Sequence, residues 1–182
     1  MTASTSIDRL DESLITESLC RATLDVFGTM LGVDAVAGER FTEKVPPHPS
    51  HGLVSLIGMA GAWVGTGGIS CSAELACKLS SRFLMAEYVS VNDDVLDAMG
   101  ELTNMIIGNF KNEIEVHVGS LGLSIPTVIF GRNFVARSAA ENEWIVVPFD
   151  CEGETMTVKV CLAPRANRPV VRGHAPPPYM VD

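Results

Sequence analysis

The sequence predicts an α+β domain in which long helices pack on a largely antiparallel sheet. Apolar residues recur at spacings of three and four over residues 11–32 and again from residue 92 onward, which is typical of two amphipathic helices. The stretch from Leu53 to Ile69 is apolar and glycine-rich, and short strand-like segments follow Gly119. Helices that alternate with strand pairs of this kind favour a sheet with helices packed against it.

The first helix presents one apolar face. That face consists of Ile15, Leu19, Ala22, Val26 and Met30, and Gly32 is placed to end the helix. Residues 39–45 predict a short strand, which the proline-rich segment 46–51 then breaks. His48 and His51 lie in this segment, where we expect a solvated loop. A metal site is the weaker reading, because no further ligand accompanies the two histidines.

The glycine-rich segment predicts a hairpin whose turn lies near Gly58–Gly61. The run Gly65–Gly68 does not form a phosphate-binding loop, because it lacks the Gly-Lys-Ser/Thr ending and precedes strand-like residues. We expect its glycines to mark bulges or close backbone approach. Ser72 then predicts an N-cap for a helix that ends at about Met85.

The second half of the chain predicts one long helix followed by strands. Asn92 caps the helix, which we expect to end at about Asn112. Pro126 predicts a strand end, an edge or a bulge within a strand-like segment from Leu121 to Phe130. Three further strands are expected at Asn133–Arg137, Trp144–Phe149 and Met156–Leu162, and the last two form a hairpin. We expect one domain over residues 8–163 and a flexible, proline-rich tail over residues 164–182.

Composition excludes several classes of function. The net charge is −9, which disfavours binding to nucleic acid phosphates and to anionic lipid. No apolar run reaches the roughly 20 residues that a membrane-spanning helix needs. The five cysteines form no Cys-x-x-Cys pair, so we expect buried free thiols in a reducing, cytoplasmic protein without a metal site.

The long helix separates into two faces. Leu96, Met99, Thr103, Ile106 and Phe110 follow helical spacing and should face the sheet, whereas Asp97, Glu101, Asn104, Gly108 and Lys111 follow it on the opposite side. A solvated surface alone would explain a polar face. Gly108 is unusual there, because glycine inside a helix costs about 1 kcal/mol relative to alanine, and close approach of another backbone would account for it.

Glu101 and Asn104 form a pair suited to phosphate chemistry on another molecule. They lie one helical turn apart and project the same way. A carboxamide offers both a donor and an acceptor, so it can hold a water and aim its lone pair. Phosphoryl transfer relies mainly on such positioning and on charge stabilisation. Nothing nearby neutralises phosphate charge, so the pair requires a phosphate site supplied by a partner.

The pattern Asp97-x-x-x-Glu101-x-x-Asn104, followed by Pro126, resembles the signature of the CheC, CheX and FliY phosphatases of bacterial chemotaxis. The first helix and the glycine-rich hairpin before the second helix are also similar to that family, so the resemblance covers roughly residues 10–163. Glu101-x-x-Asn104 is the only Glu-x-x-Asn in the chain. Because CheC-like members carry two such motifs, the single copy favours a CheX-like protein.

The resemblance implies an enzyme that hydrolyses the aspartyl phosphate of a CheY-like receiver domain. Glu101 would pair with the receiver's active-site lysine, and Asn104 would orient the attacking water. The receiver would supply Mg²⁺, so this chain needs no cofactor of its own. Asp97, Gly108 and Lys111 complete the expected partner-binding surface, and the family resemblance implies a homodimer formed through the sheets.

Two other functions remain open at the level of sequence. A non-catalytic module of the same fold, acting as a receiver-binding or flagellar-switch-type scaffold, would keep the helix but not the turnover. A self-contained hydrolase is disfavoured, because the sequence has no Gly-x-Ser-x-Gly elbow and no Cys/His constellation.

Overall fold

The computed structural model describes residues 10–43, 50–134 and 143–165. Within these residues, eight strands form one sheet and three helices pack against it, which confirms the α+β fold class. The helices are α1 (Glu12–Val26, continued by a π-helical turn over Phe27–Leu31), α2 (Ala73–Leu84) and α3 (Asp93–Val118). The strands are β1 (Val36–Ala37), β2 (Phe41–Glu43), β3 (Ser50–Gly61), β4 (Trp63–Cys71), β5 (Leu121–Leu123), β6 (Thr127–Phe134), β7 (Trp144–Cys151) and β8 (Glu154–Pro164).

The sheet has the order β1-β7-β8-β4-β3-β5, and all of its strand pairs are antiparallel. Two more strands complete the edges, because β2 also pairs with β7 and β6 also pairs with β3. The registers align Ile57, Gly67, Val160 and Ile145 in one row across four strands. This row belongs to the face that the helices cover, and Ile107 of α3 packs directly on Gly67.

Helix α1 begins and ends where the sequence predicts. The Asp11 side chain caps its start by accepting from the Ser13 N–H, and Gly32 ends it in the left-handed conformation. The final turn is π-helical, however, and its wider turn advances the buried face by about one residue. Leu31 is therefore buried and Met30 is 45% exposed, so the placement of Met30 on the apolar face was wrong.

The hairpin prediction is confirmed, but its turn was placed too early. β3 continues through Gly58 and Gly61, and the chain turns at Ala62. Gly61 is needed inside the strand, because a methyl group there would collide with the Ser120 carbonyl oxygen. Strand β3 also begins at Ser50, so His51 lies in a strand rather than in a loop, while His48 lies outside the described residues.

Helix α3 is longer than predicted. Asn92 is its N-cap, as expected, with Oδ1 accepting from the Val95 N–H at 3.0 Å. The helix ends at Val118 instead of about Asn112, because buried residues recur every four positions through Phe110, Ile114 and Val118. The polar residues 111–113 interrupt the apolar pattern, so the sequence alone predicts an earlier end of the helix.

The C-terminal third follows the predicted order of strands. Pro126 separates β5 from β6, and β7 and β8 form the expected hairpin around Glu152 and Gly153. Asn133 and Phe134 belong to the end of β6 instead of starting a new strand, and residues 135–137 lie outside the described residues. β8 extends to Pro164, while residues 166–182 of the predicted tail also lie outside the described residues, so the domain boundary stays a prediction.

Candidate active site on helix α3

Helix α3 lies over the strands in the middle of the sheet and those at one edge. It contacts β3, β4, β5 and β6, and α1 and α2 pack beside it. Most of its circumference is consequently buried, including Val95, Leu102 and Ile107 as well as the predicted apolar residues. Leu96 is only half-buried, but it also packs against the core, as expected.

The predicted polar face occupies the remaining outer strip of α3. Asp97 and Glu101 are exposed, whereas Asn104, Gly108 and Lys111 are half-buried. Asp97 and Glu101 are therefore open to solvent, and Asn104 is partly covered. The structure thus brings together all five residues that the sequence singled out, along one side of one helix.

Glu101 and Asn104 have no partner within the described part of the chain. The structure assigns no hydrogen bond or ion pair to either side chain there, nor to Asp97. Their neighbour Thr103 contrasts with them, because its buried hydroxyl donates to the Met99 carbonyl at 2.7 Å. The Glu101 carboxylate and the Asn104 amide are therefore available to another molecule.

The junction between β5 and β6, residues 124–126, flanks this strip. A methyl group at Gly100 would lie 3.3 Å from Cγ2 of Val128 and 3.8 Å from Cβ of Pro126. A methyl group at Gly108 would lie 3.9 Å from Cδ1 of Leu123. Gly100, Asn104 and Gly108 lie on successive turns of one stripe, so helical spacing places Asn104 between these two positions, on the side of α3 next to the junction.

Lys111 is already engaged with α3 and β5. Its Nζ lies 3.1 Å from Oε1 of Glu115, and the same carboxylate oxygen accepts from the Leu121 N–H at 2.7 Å. This N–H and the Lys111 ammonium hold the pKa of Glu115 below its usual range. Only 19% of the Lys111 side chain is exposed, so its main observed contact ties the end of α3 to the sheet.

The described residues contain no cluster of metal ligands. No group of three or more His, Cys, Asp or Glu side chains among them could hold a metal ion. All five cysteines are free thiols, and burial raises the pKa of Cys71 to about 12, which makes it a poor nucleophile. No helix in this part of the molecule is both long enough and apolar enough to cross a lipid bilayer.

Sequence reasoning missed the residues that frame the pair. Because Gly100 has no side chain, Pro126 and Val128 can lie close to α3 next to Glu101. Ser124 and Ile125 belong to the β5–β6 junction beside Asn104. The signal was present, since a second glycine occurs one helical turn before Asn104. The role of that glycine becomes clear only in the structure, where β5 and β6 both pair with β3 and their junction lies beside α3.

An antiparallel sheet crossed by long helices is the fold of CheC-like proteins, such as the one from Shewanella with a TM-score of 0.73 and 24% identity over 82% of this chain and 97% of that one. Solved structures with this fold include CheX from Vibrio vulnificus, with a TM-score of 0.71 and 22% identity over 85% of this chain and 99% of that one. The CheX–CheY–BeF3–Mg²⁺ complex from Borrelia burgdorferi gives a TM-score of 0.72 and 23% identity, with the same coverage of 85% and 99%. The FliM middle domain from Helicobacter pylori also shares the fold, with a TM-score of 0.61 and 14% identity over 85% of this chain and 94% of that one. These likenesses concern the fold alone.

Sequence comparison identifies the family. Residues 53–150 match the family described as chemotaxis phosphatase CheX. The CheY-P phosphatase CheX of Thermotoga maritima is 30% identical over 129 residues, which span 70% of this chain and 82% of the relative. The chain belongs to the chemotaxis phosphatase CheX family.

Proposed function

We propose that this protein is a phosphatase that hydrolyses the aspartyl phosphate of a CheY-like receiver domain. The observation that carries the proposal is the Glu101–Asn104 pair on the outer strip of α3, which has no partner among the described residues, in a chain of the CheX family. The Thermotoga maritima relative is named a CheY-P phosphatase, and the Borrelia burgdorferi structure is a complex of CheX with CheY. Both names point to the same class of partner.

In this proposal, Asn104 orients the attacking water. Its carboxamide can accept a hydrogen bond from the water and so direct the water's lone pair at phosphorus. The half-buried position of Asn104 supports this role, because a flanked side chain samples fewer rotamers than one in open solvent. The amide is too weak a base to remove the proton, so positioning is its contribution.

Glu101 supplies the docking contact. Its exposed carboxylate has no partner among the described residues and can form a charge-assisted hydrogen bond with a lysine ammonium of the receiver. Because Glu101 lies three residues before Asn104, such a bond would fix the register of the receiver over the amide. Asp97, one turn earlier, would extend the same negative surface.

Gly108 and Lys111 complete the proposed partner-binding strip. Among the described residues, the nearest heavy atom to a methyl group at Gly108 would be Cδ1 of Leu123 at 3.9 Å, so the lack of a side chain leaves room for another backbone. Lys111 would contribute less than the other residues, because it already pairs with Glu115.

The receiver would bring the metal. We propose that Mg²⁺ belongs to the receiver, where it neutralises phosphate charge, and that this chain contributes only the water-orienting and docking groups. The presence of CheY, BeF3 and Mg²⁺ together in the Borrelia burgdorferi complex supports this division.

Two features of the assembly and location follow from the family and the composition. We propose a homodimer formed through the sheets, for which β6 offers an edge, since its only partner among the described strands is β3. We also propose a cytoplasmic location, because all five cysteines are free thiols, as is usual in reducing compartments.

The test of the proposed activity is phosphate release from a phosphorylated receiver domain encoded in the same genome. Wild-type protein should shorten the phosphate lifetime in Mg²⁺ and lose this effect when Mg²⁺ is chelated. It should leave p-nitrophenyl phosphate intact, because that substrate brings no receiver. Binding without any change in lifetime would instead favour the scaffold function.

A further inference from the structure

The β5–β6 junction is held rigidly although it lies at the surface. The backbone of Ser124 donates from N to the Gly58 carbonyl at 2.9 Å, and its Oγ accepts from the Gly58 N–H at 2.8 Å. The same hydroxyl donates to the Ile125 carbonyl at 2.9 Å. Pro126 adds a fourth restraint, because a residue that precedes proline is confined to extended conformations.

Ile125 projects from this restrained junction into solvent. It is 85% exposed, whereas both strands that it connects contribute side chains to the core or pack against it. A single exposed apolar side chain is ordinary on a protein surface. The position of Ile125 is not ordinary, because its junction flanks the stripe of α3 that carries Asn104.

A rigid apolar side chain at the rim of a docking surface is well suited to recognition. Little conformational entropy is lost when the backbone is already fixed, so most of the burial free energy contributes to affinity. A receiver seated over Glu101 and Asn104 would come within reach of the junction, because methyl groups at Gly100 and Gly108 would lie within 4 Å of the residues on both sides of it.

We propose that Ile125 is a specificity residue that packs against an apolar patch of the receiver beside its phosphorylation site. The proposal rests on the proposed function, since it assumes that the receiver docks over Glu101 and Asn104. Ile125 contributes to binding in this scheme and takes no part in orienting water.

The test is the affinity for a receiver activated with BeF3⁻ and Mg²⁺, measured by titration, together with KM and kcat for the phosphorylated receiver. Ile125→Ser should weaken binding and raise KM by about tenfold, the loss expected when one isoleucine side chain is no longer buried. kcat should stay within about twofold of wild type. Ile125→Val should restore most of the affinity, because it keeps an apolar, β-branched side chain.

Val116→Ser is the matched control. Val116 is 80% exposed and lies on α3 itself, but 12 residues beyond Asn104, which is about 18 Å along the helix. This variant should bind and turn over the receiver like wild type. Unchanged affinity and KM in Ile125→Ser, with an active wild type, would overturn the inference and leave the proposed function intact. If the wild type neither binds nor dephosphorylates the receiver, the proposed function fails and the inference fails with it.

Discussion

Pro126 packs beside Gly100, the residue that immediately precedes Glu101. A methyl group at Gly100 would lie only 3.8 Å from Cβ of the proline and 3.3 Å from Cγ2 of Val128. The sequence motif therefore includes residues on two sides of one candidate site. The helix carries the acid and the amide, and the proline ends the junction that flanks them.

Gly108→Ala should stabilise the fold but weaken binding of the receiver. The nearest heavy atom to an added methyl group is Cδ1 of Leu123 at 3.9 Å, so alanine fits without strain. Replacement of a mid-helix glycine should stabilise the protein by up to about 1 kcal/mol in urea denaturation. If the receiver approaches α3 at this position, the same variant should bind it more weakly. A variant that is more stable and binds equally well would remove Gly108 from the partner-binding strip.

Glu101→Gln should weaken receiver binding chiefly at low ionic strength. The neutral amide keeps the shape of the side chain but loses the charge that would attract a lysine ammonium, and salt screens that attraction. Affinity for the BeF3⁻-activated receiver should fall several-fold in low salt, and its salt dependence should become shallower. Glu87→Gln is the control, because Glu87 is also exposed but lies in the connection between α2 and α3. An equal loss in both variants would indicate general electrostatics instead of a specific pair.

Glu115→Gln should make the free energy of unfolding less dependent on pH. The Leu121 N–H and Lys111 lower the folded-state pKa of Glu115, so the unfolded chain takes up this proton first as the pH falls. The stabilising effect is complete above the usual glutamate pKa of about 4.3 and is lost as the pH falls through the lower folded-state value. Urea denaturation from pH 7 to pH 3 should show wild type more stable than Glu115→Gln at pH 7, with the gap closing in acid. A stability difference between the two proteins that is constant from pH 7 to pH 3 would contradict the lowered pKa of Glu115.

Some of the fold could be predicted from local signals and some could not. Asn92 and Ser72 are N-caps because their side-chain oxygens accept backbone N–H groups within the same turn, and such short-range chemistry is visible in sequence. The π-helical turn that exposes Met30 depends on packing against other elements, so periodicity alone could not reveal it. The turn at Ala62 could not be predicted either, because Gly58 and Gly61 resemble turn residues but lie inside β3, and a methyl group at Gly61 would collide with the Ser120 carbonyl oxygen.

The candidate site, like the fold, could be predicted from the sequence only in part. The stripe from Asp97 to Lys111 follows from helical spacing, and the structure places it on one side of α3. The engagement of Lys111 with Glu115 could not be foreseen, because the predicted helix stopped before Glu115 and β5. Ser124 and Ile125 were missed because their meaning depends on strand pairing between residues more than sixty positions apart.

The proposed role of Asn104 is tested by the decay rate of the phosphorylated receiver at saturating concentrations of wild type and of Asn104→Ala. Saturation removes differences in binding, so the plateau rate reports the step in which water is oriented. Asn104→Ala should give a plateau about 100-fold lower, with half-saturation near the wild-type concentration, as for the loss of one positioned polar group. Asn109→Ala, another half-buried asparagine of α3, should match wild type. A wild-type plateau in Asn104→Ala would contradict the proposed role.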